Sequence, residues 1–213
     1  MTTIEYQLLA KRTQPAQSTM HTNIPVIEES EASGQLAAAY QAFRTNFGRP
    51  DVPGILKCFS SSPQLLTQMM AMSSVLLFSD GALGRRRKEM IASYVSTLNA
   101  CPYCADSHGF FFCVHGGAAL VDAILKGSLD SAEIDAGEKM LLSFVAKVNS
   151  ASDKIDPGDV QALRNSGWTN EQIAEAVHLA AAFAFFNRLA NAFGLVSQGL
   201  LDMRPATLNE QGQ

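Results

Sequence analysis

Apolar residues recur along this chain at steps of three and four, and almost no window alternates with period two. That pattern restricts the fold to packed helices, each burying one stripe, because a half-buried strand needs the period of two. From Glu31 onward Leu36, Tyr40, Phe43 and Phe47 mark a first helix, which Gly48 stops. Ser62-Pro63 reads as a cap and first-turn proline, opening a helix through Leu65, Leu66, Met69, Met70, Met72, Val75 and Leu76. The methionines read as core filling in preference to a soft binding surface.

A further helix is expected from about Arg85 to Asn99, with Met90, Ile91, Tyr94, Val95 and Leu98 on its apolar face. Another is expected from Pro102 to about His115, before Gly116-Gly117. A short segment through Leu120 and Leu125 follows, then helices over roughly Ser131–Asn149 and from Pro157 to near Gly167. Last comes a long apolar helix opened by Thr169-Asn170-Glu171-Gln172 and closed at Phe193-Gly194. The reading is all-α, a two-lobed helical bundle with the spans 63–125 and 131–194 similarly punctuated. Residues 1–30, with Pro15 and Pro25 and no clear period, read as an extended arm. Residues 31–213 read as one helical domain carrying a redox motif within 85–115.

Composition sets limits. With 213 residues, 47% of them hydrophobic, the chain can bury a substantial core. The net charge of -4 gives nucleic-acid binding no global support. The short run Arg85-Arg86-Arg87-Lys88, next to Glu89, reads as a solvated helix start in preference to an anion patch. No targeting segment is evident near Met1, and no uncharged run reaches membrane-spanning length. Ile173–Phe186 comes closest, but it contains Glu175 and His178. The chain is expected to be cytoplasmic and not membrane-bound. Four cysteines are too few for a disulfide scaffold, and a Cys-x-x-Cys pair in such a chain points to redox or metal chemistry.

That pair is Cys101 and Cys104, in the stretch from Lys88 to Gly109 with the reduced pattern E-x11-C-x-x-C-x3-H. Pro102 suits the first position of a helix, which puts both thiols in or beside its first turn. There the helix N-terminus favours thiolate, with pKa values from about 3.5 to 7.5 against about 8.5 for a free thiol. His108 lies four residues after Cys104 and seven after Cys101, on one helical face with both, while Cys113 falls out of phase. An imidazole can carry the protons that thiol chemistry on a peroxide or disulfide requires. Glu89, on the preceding helix, reaches the same face if the chain folds back as a hairpin at Ala100. Position alone favours Cys101 as the thiolate, and the spacing to His108 favours Cys104.

The motif resembles the alkylhydroperoxidase D family of the carboxymuconolactone decarboxylase superfamily, densest over 63–125. The loop at Pro53, the helix opening at Pro63 and the late Phe186-Asn187-Arg188 look like its peroxidase-related branch. The resemblance implies an all-helical fold, a homo-oligomer (dimer, trimer or hexamer), and reduction of hydroperoxides by a dithiol with electrons from a dithiol or protein-thiol reductant. It implies that Cys104 attacks, Cys101 resolves, and Glu89 and His108 relay protons. The sequence departs from the founding members at Tyr103, which stands where they carry a histidine. A free phenol titrates near about 10, so it donates a hydrogen bond but is a poor base. No cofactor site is suggested.

Three alternatives remain from sequence: a non-enzymatic thiol redox sensor, thiol-regulated chaperone or disulfide-exchange protein, a zinc site of Cys101, Cys104 and His108 with Glu89 or His115, and a decarboxylase-type member. His178 reads as a core histidine in preference to a site residue. Asn187 and Arg188 are assigned to structure. His21 and His115 are given no role, and Cys58 is placed in a loop without reactivity.

Overall fold

The computed structural model describes residues 22–130 and 134–204. Most of the expected N-terminal arm, with His21, lies outside the described residues, as does the expected helix start at Ser131. Among the described residues there are nine α-helices and no strands. They are α1 (Gly34–Phe47), α2 (Gly54–Lys57), α3 (Pro63–Ser73), α4 (Gly84–Leu98), α5 (Pro102–Phe112), α6 (Val121–Leu125), α7 (Ala136–Ala151), α8 (Pro157–Asn165) and α9 (Asn170–Phe193). Wider turns of π type extend α3 through Ser74–Phe78 and α5 through Cys113–Gly117.

The helix ends follow local chemistry. Pro63, Pro102 and Pro157 each sit at a first turn, where a missing N–H costs nothing. At the start of α9 the Thr169 hydroxyl accepts the Gln172 N–H, and the Gln172 side chain accepts the Thr169 N–H. Asp135 caps α7 by accepting the Glu138 N–H at 2.8 Å, so that helix begins later than its sequence suggested.

The spans 63–125 and 134–194 meet across one apolar core. Met90 and Ile91 of α4, Leu141 and Leu142 of α7, and Leu179 and Ala180 of α9 are fully excluded from solvent there. A smaller core forms where α1, α2 and α3 enclose Tyr40, Phe43, Leu56 and Leu66. Residues 22–30 lie along this part. The Asn23 N–H donates to the Phe193 carbonyl, and the Tyr40 hydroxyl donates to the Ile27 carbonyl.

By length and composition α9, at 24 residues, could cross a membrane, although no such run was expected from the sequence. Two of its polar residues are engaged within the bundle: Glu175 pairs with Lys88 at 2.7 Å, and Asn187 is wholly buried against α4.

The basic run is not the solvated feature expected. Lys88 is 0% exposed and donates to the Leu76 and Ser79 carbonyls as well as to Glu175. Arg85 is buried against Glu89, and Arg86 and Arg87 both meet Glu138. Residues 85, 88, 92 and 95 form the inward stripe of α4, so the helical period overrides the charge run.

Candidate active site

The hairpin of α4 and α5 builds the site. After Leu98 the chain reverses through Asn99 and Ala100. The Cys101 N–H donates to the Ser96 carbonyl at 2.9 Å and the Ala100 N–H to the Thr97 carbonyl at 3.0 Å. These are the paired bonds of a left-handed helix ending, a conformation that normally takes glycine. Here Ala100 adopts it, at φ +48°. Asn191 of α9 donates to the Asn99 and Ala100 carbonyls and holds the turn from outside.

The reversal delivers Cys101 to the N-cap of α5, with Pro102 following. Both cysteines are buried and are not joined in a disulfide. The thiol of Cys104 hydrogen-bonds the Cys101 sulfur, which also receives Asn187 and the backbone N–H groups of Cys104 and Tyr103. Together these bring Cys101 down to about 7. The same bond, with burial and the adjacent Cys101 charge, holds Cys104 well above the usual thiol range. Near neutral pH Cys101 is therefore the first of the pair to ionise, while Cys104 keeps its proton.

His108, one turn beyond Cys104, places Nδ1 at 2.7 Å from Glu89 Oε2. Glu89 is 0% exposed, and its other oxygen takes the Arg85 guanidinium at 2.7 Å. Burial alone would raise the Glu89 pKa, but His108 and Arg85 outweigh it and hold the carboxyl below its usual value. A carboxylate only accepts, so it fixes the ring proton on Nδ1 and leaves Nε2 free. Phe183 packs edge-on against the imidazole at 4.6 Å.

Cys104, His108 and Tyr103 line one cavity of about 120 Å³ whose other walls are chiefly apolar, among them Phe43, Leu56, Met70, Leu77 and Phe186. Cys101 does not line it. Met70 thus fills core and walls the cavity at once. The Tyr103 hydroxyl accepts the Ile55 N–H at 3.2 Å, and burial pushes its pKa well up.

The structure therefore brings Cys101, Cys104, His108, Glu89 and Tyr103 together. His178 is not with them: it is exposed on the outer face of α9, and neither a core histidine nor a site residue is found there. Cys113 packs in the main core. Cys58 was expected in a loop without reactivity; it ends α2 and packs in one cluster with Cys101, Tyr103 and Cys104. Burial drives its pKa up to about 12, so it stays a thiol, donating to the Gly54 carbonyl.

Two further residues at the site were not picked out from sequence. Asn187 is 0% exposed; it donates to Ser96 Oγ, accepts from Asn99, and contacts the thiol pair. Its signal was a polar residue in the buried stripe of Ala180, Phe183 and Ala190. Arg49, from the loop before α2, is the cavity's cation. Among the described residues no group of three or more His, Cys, Asp or Glu is arranged to hold a metal ion.

An all-helical bundle with a buried Cys-x-x-Cys at a helix N-terminus, a carboxylate-held histidine and an apolar cavity defines a class of helical dithiol proteins. The carboxymuconolactone decarboxylase family matches residues 63–109. An alkyl hydroperoxide reductase of Mycobacterium tuberculosis is 32% identical over 110 residues, which are 52% of this chain and 31% of that protein. The chain thus spans about a third of the length of this curated relative. The alkylhydroperoxidase D core of a peroxidase-related protein from Ralstonia eutropha superposes with a TM-score of 0.76 at 25% identity, covering 88% of this chain and 98% of that one. A debrominase in complex with 2,3,4-tribromopyrrole shares the fold, with a TM-score of 0.67 at 19% identity over 89% of this chain and 97% of its own. The chain is thus similar to alkylhydroperoxidase D-like proteins of the carboxymuconolactone decarboxylase superfamily, with the family match confined to residues 63–109 and the likeness in fold extending over most of the chain.

Proposed function

We propose that the protein reduces organic hydroperoxides through a Cys101–Cys104 dithiol–disulfide cycle. The observation that carries this reading is the sharing of one apolar cavity by Cys104 and a carboxylate-held His108. The peroxidase-related relatives agree with it, and the debrominase neighbour marks that the fold hosts other chemistry.

In the cycle, His108 Nε2 takes the Cys104 thiol proton as the sulfur attacks the hydroperoxide. The O–O bond breaks, one oxygen stays on Cys104 as sulfenic acid, and the alkoxide takes the proton from His108 and leaves as alcohol. The Cys101 thiolate then attacks the Cys104 sulfur. The S–O bond breaks, hydroxide leaves and is protonated to water, and the disulfide forms. An external dithiol or protein thiol returns two electrons and two protons. Tyr103 frames the cavity, and its own hydrogen is left to donate to a bound oxygen. A homo-oligomer in a reducing compartment such as the cytoplasm suits this cycle, and light scattering on the purified chain measures the first.

The lowered pKa of Cys101 favours a second reading, in which Cys101 attacks first. Turnover of cumene hydroperoxide with dithiothreitol or dihydrolipoamide separates the two. Cys104→Ser should abolish consumption. Cys101→Ser should consume one equivalent and stop at a trapped sulfenic acid. The reverse pattern reverses the roles. A wild type that closes its disulfide without turning over would replace the peroxidase by a redox sensor.

A further inference from the structure

Arg49 sets the cavity apart from a plain apolar pocket. It lies in the two-proline segment Gly48-Arg49-Pro50-Asp51-Val52-Pro53, and its side chain is only 10% exposed. Its one ion-pair contact among the described residues is loose, Nη2 to Asp51 Oδ1 at 3.7 Å. Its Nε–H is buried and has no hydrogen-bond partner there. Other buried cations differ: Lys88 meets Glu175 at 2.7 Å, Arg85 meets Glu89 at 2.7 Å and Lys57 meets Glu28 at 2.7 Å.

A buried guanidinium N–H without a partner forfeits the full cost of its desolvation. The side chain lines the same cavity as Cys104 and His108, and its charge acts on the Tyr103 hydroxyl. The cavity is thus bipolar in chemistry: the Cys104 thiol and an imidazole in one part, an unsatisfied cation in another, with Phe43, Leu56 and Phe186 among the carbon walls.

We propose that the cavity binds an apolar monocarboxylate, so that the preferred substrates are hydroperoxides of carboxylic acids, their carboxylate held by Arg49. The two oxygens of a carboxylate match the parallel N–H groups on a guanidinium edge. A single cation among carbon walls suits one negative charge better than the two of a phosphate monoester. Anchoring the acid end leaves the apolar chain to fill the cavity and the peroxide to meet Cys104. The substrate part of the proposal rests on the hydroperoxide reading, and the carboxylate site does not.

Two measurements on the full reduced chain keep these apart. In calorimetry at neutral pH, octanoate should bind about tenfold or more tightly than octanamide. Arg49→Met should erase that preference, and Arg49→Lys should restore part of it. In turnover assays, a fatty-acid hydroperoxide should exceed its methyl ester in kcat/KM by a similar factor, through a lower KM, and Arg49→Met should level the two. Equal binding of octanoate and octanamide by wild type overturns the site, and this arm needs no variant to fold. A preference that survives Arg49→Met also overturns it. Octanoate preference with no turnover of any hydroperoxide sinks the peroxidase reading and leaves the carboxylate site standing.

Discussion

Glu89→Gln tests the electrostatic centre of the site with a change of one atom. The wild-type carboxylate is wholly excluded from water and divides its oxygens between Arg85 and His108, each at 2.7 Å. Glutamine keeps the shape but offers one accepting oxygen where there were two. Its carbonyl stays with the cationic Arg85, and its NH2 turns to His108, because the opposite orientation sets donor against donor. Removing one member of a buried pair costs about 3–5 kcal/mol. With one hydrogen bond kept, about 3 kcal/mol is expected from urea denaturation. The flipped amide donates to His108 Nδ1, which drives the ring proton to Nε2 and turns the free nitrogen from acceptor to donor. Hydroperoxide consumption should fall by about 10²–10³-fold.

The acid limb of the stability curve supplies an independent check. The folded pKa of Glu89 lies below the model-compound value of 4.5. Its stabilisation is therefore present above about 4.5 and is lost as pH falls through the folded value. The gap between wild type and Glu89→Gln should be full at neutral pH and shrink in acid. A neutral-pH gap under about 1 kcal/mol, or one that does not change in acid, would refute the reasoning.

Two other substitutions probe the hairpin. Asn187→Leu removes a donor to the Cys101 thiolate, so the pH midpoint for iodoacetamide alkylation should rise from about 7. A hydrogen bond to a charged group corresponds to a rise of about one pH unit or more; an unmoved midpoint would leave Asn187 a purely structural residue. Ala100→Gly replaces an alanine at φ +48° by the residue that this helix ending favours. It should stabilise the fold by about 0.5–1 kcal/mol in urea denaturation, and destabilisation would count against strain at this turn.

The helices and the core of the site were legible because both rest on local periodicity. Cys104 and His108 share a face because they are four residues apart. Glu89 reaches His108 because the turn at Ala100 folds one helix back on the next. What escaped depends on contacts distant in sequence. Asn187 meets Ser96 from 91 residues away. Cys58 reaches the dithiol where the Ile55 N–H, bonded to the Tyr103 hydroxyl, ties α2 to α5. Asp106 accepts the N–H groups of Gln198, Leu200 and Leu201, pinning the chain after α9 to the helix of the cysteines. A charge run also misled: composition reads Arg85 and Lys88 as solvated, yet the apolar stripe of α4 carries them inward to Glu89 and Glu175.

Tyr103 decides how long the proposed proton relay is. Its hydroxyl accepts the Ile55 N–H, and burial pushes its pKa away from neutrality. A base would need to release its proton in the working range, and this phenol does not. In the proposed cycle the relay then consists of Glu89 and His108, and Tyr103 holds the start of α2 against the cavity. Tyr103→Phe should leave the pH profile of kcat unchanged within about 0.3 units. It should raise KM several-fold, because the Ile55 N–H loses its partner and the wall carrying Leu56 loosens. A kcat profile displaced by a unit or more would instead put the phenol in the proton path and lengthen the relay by one member.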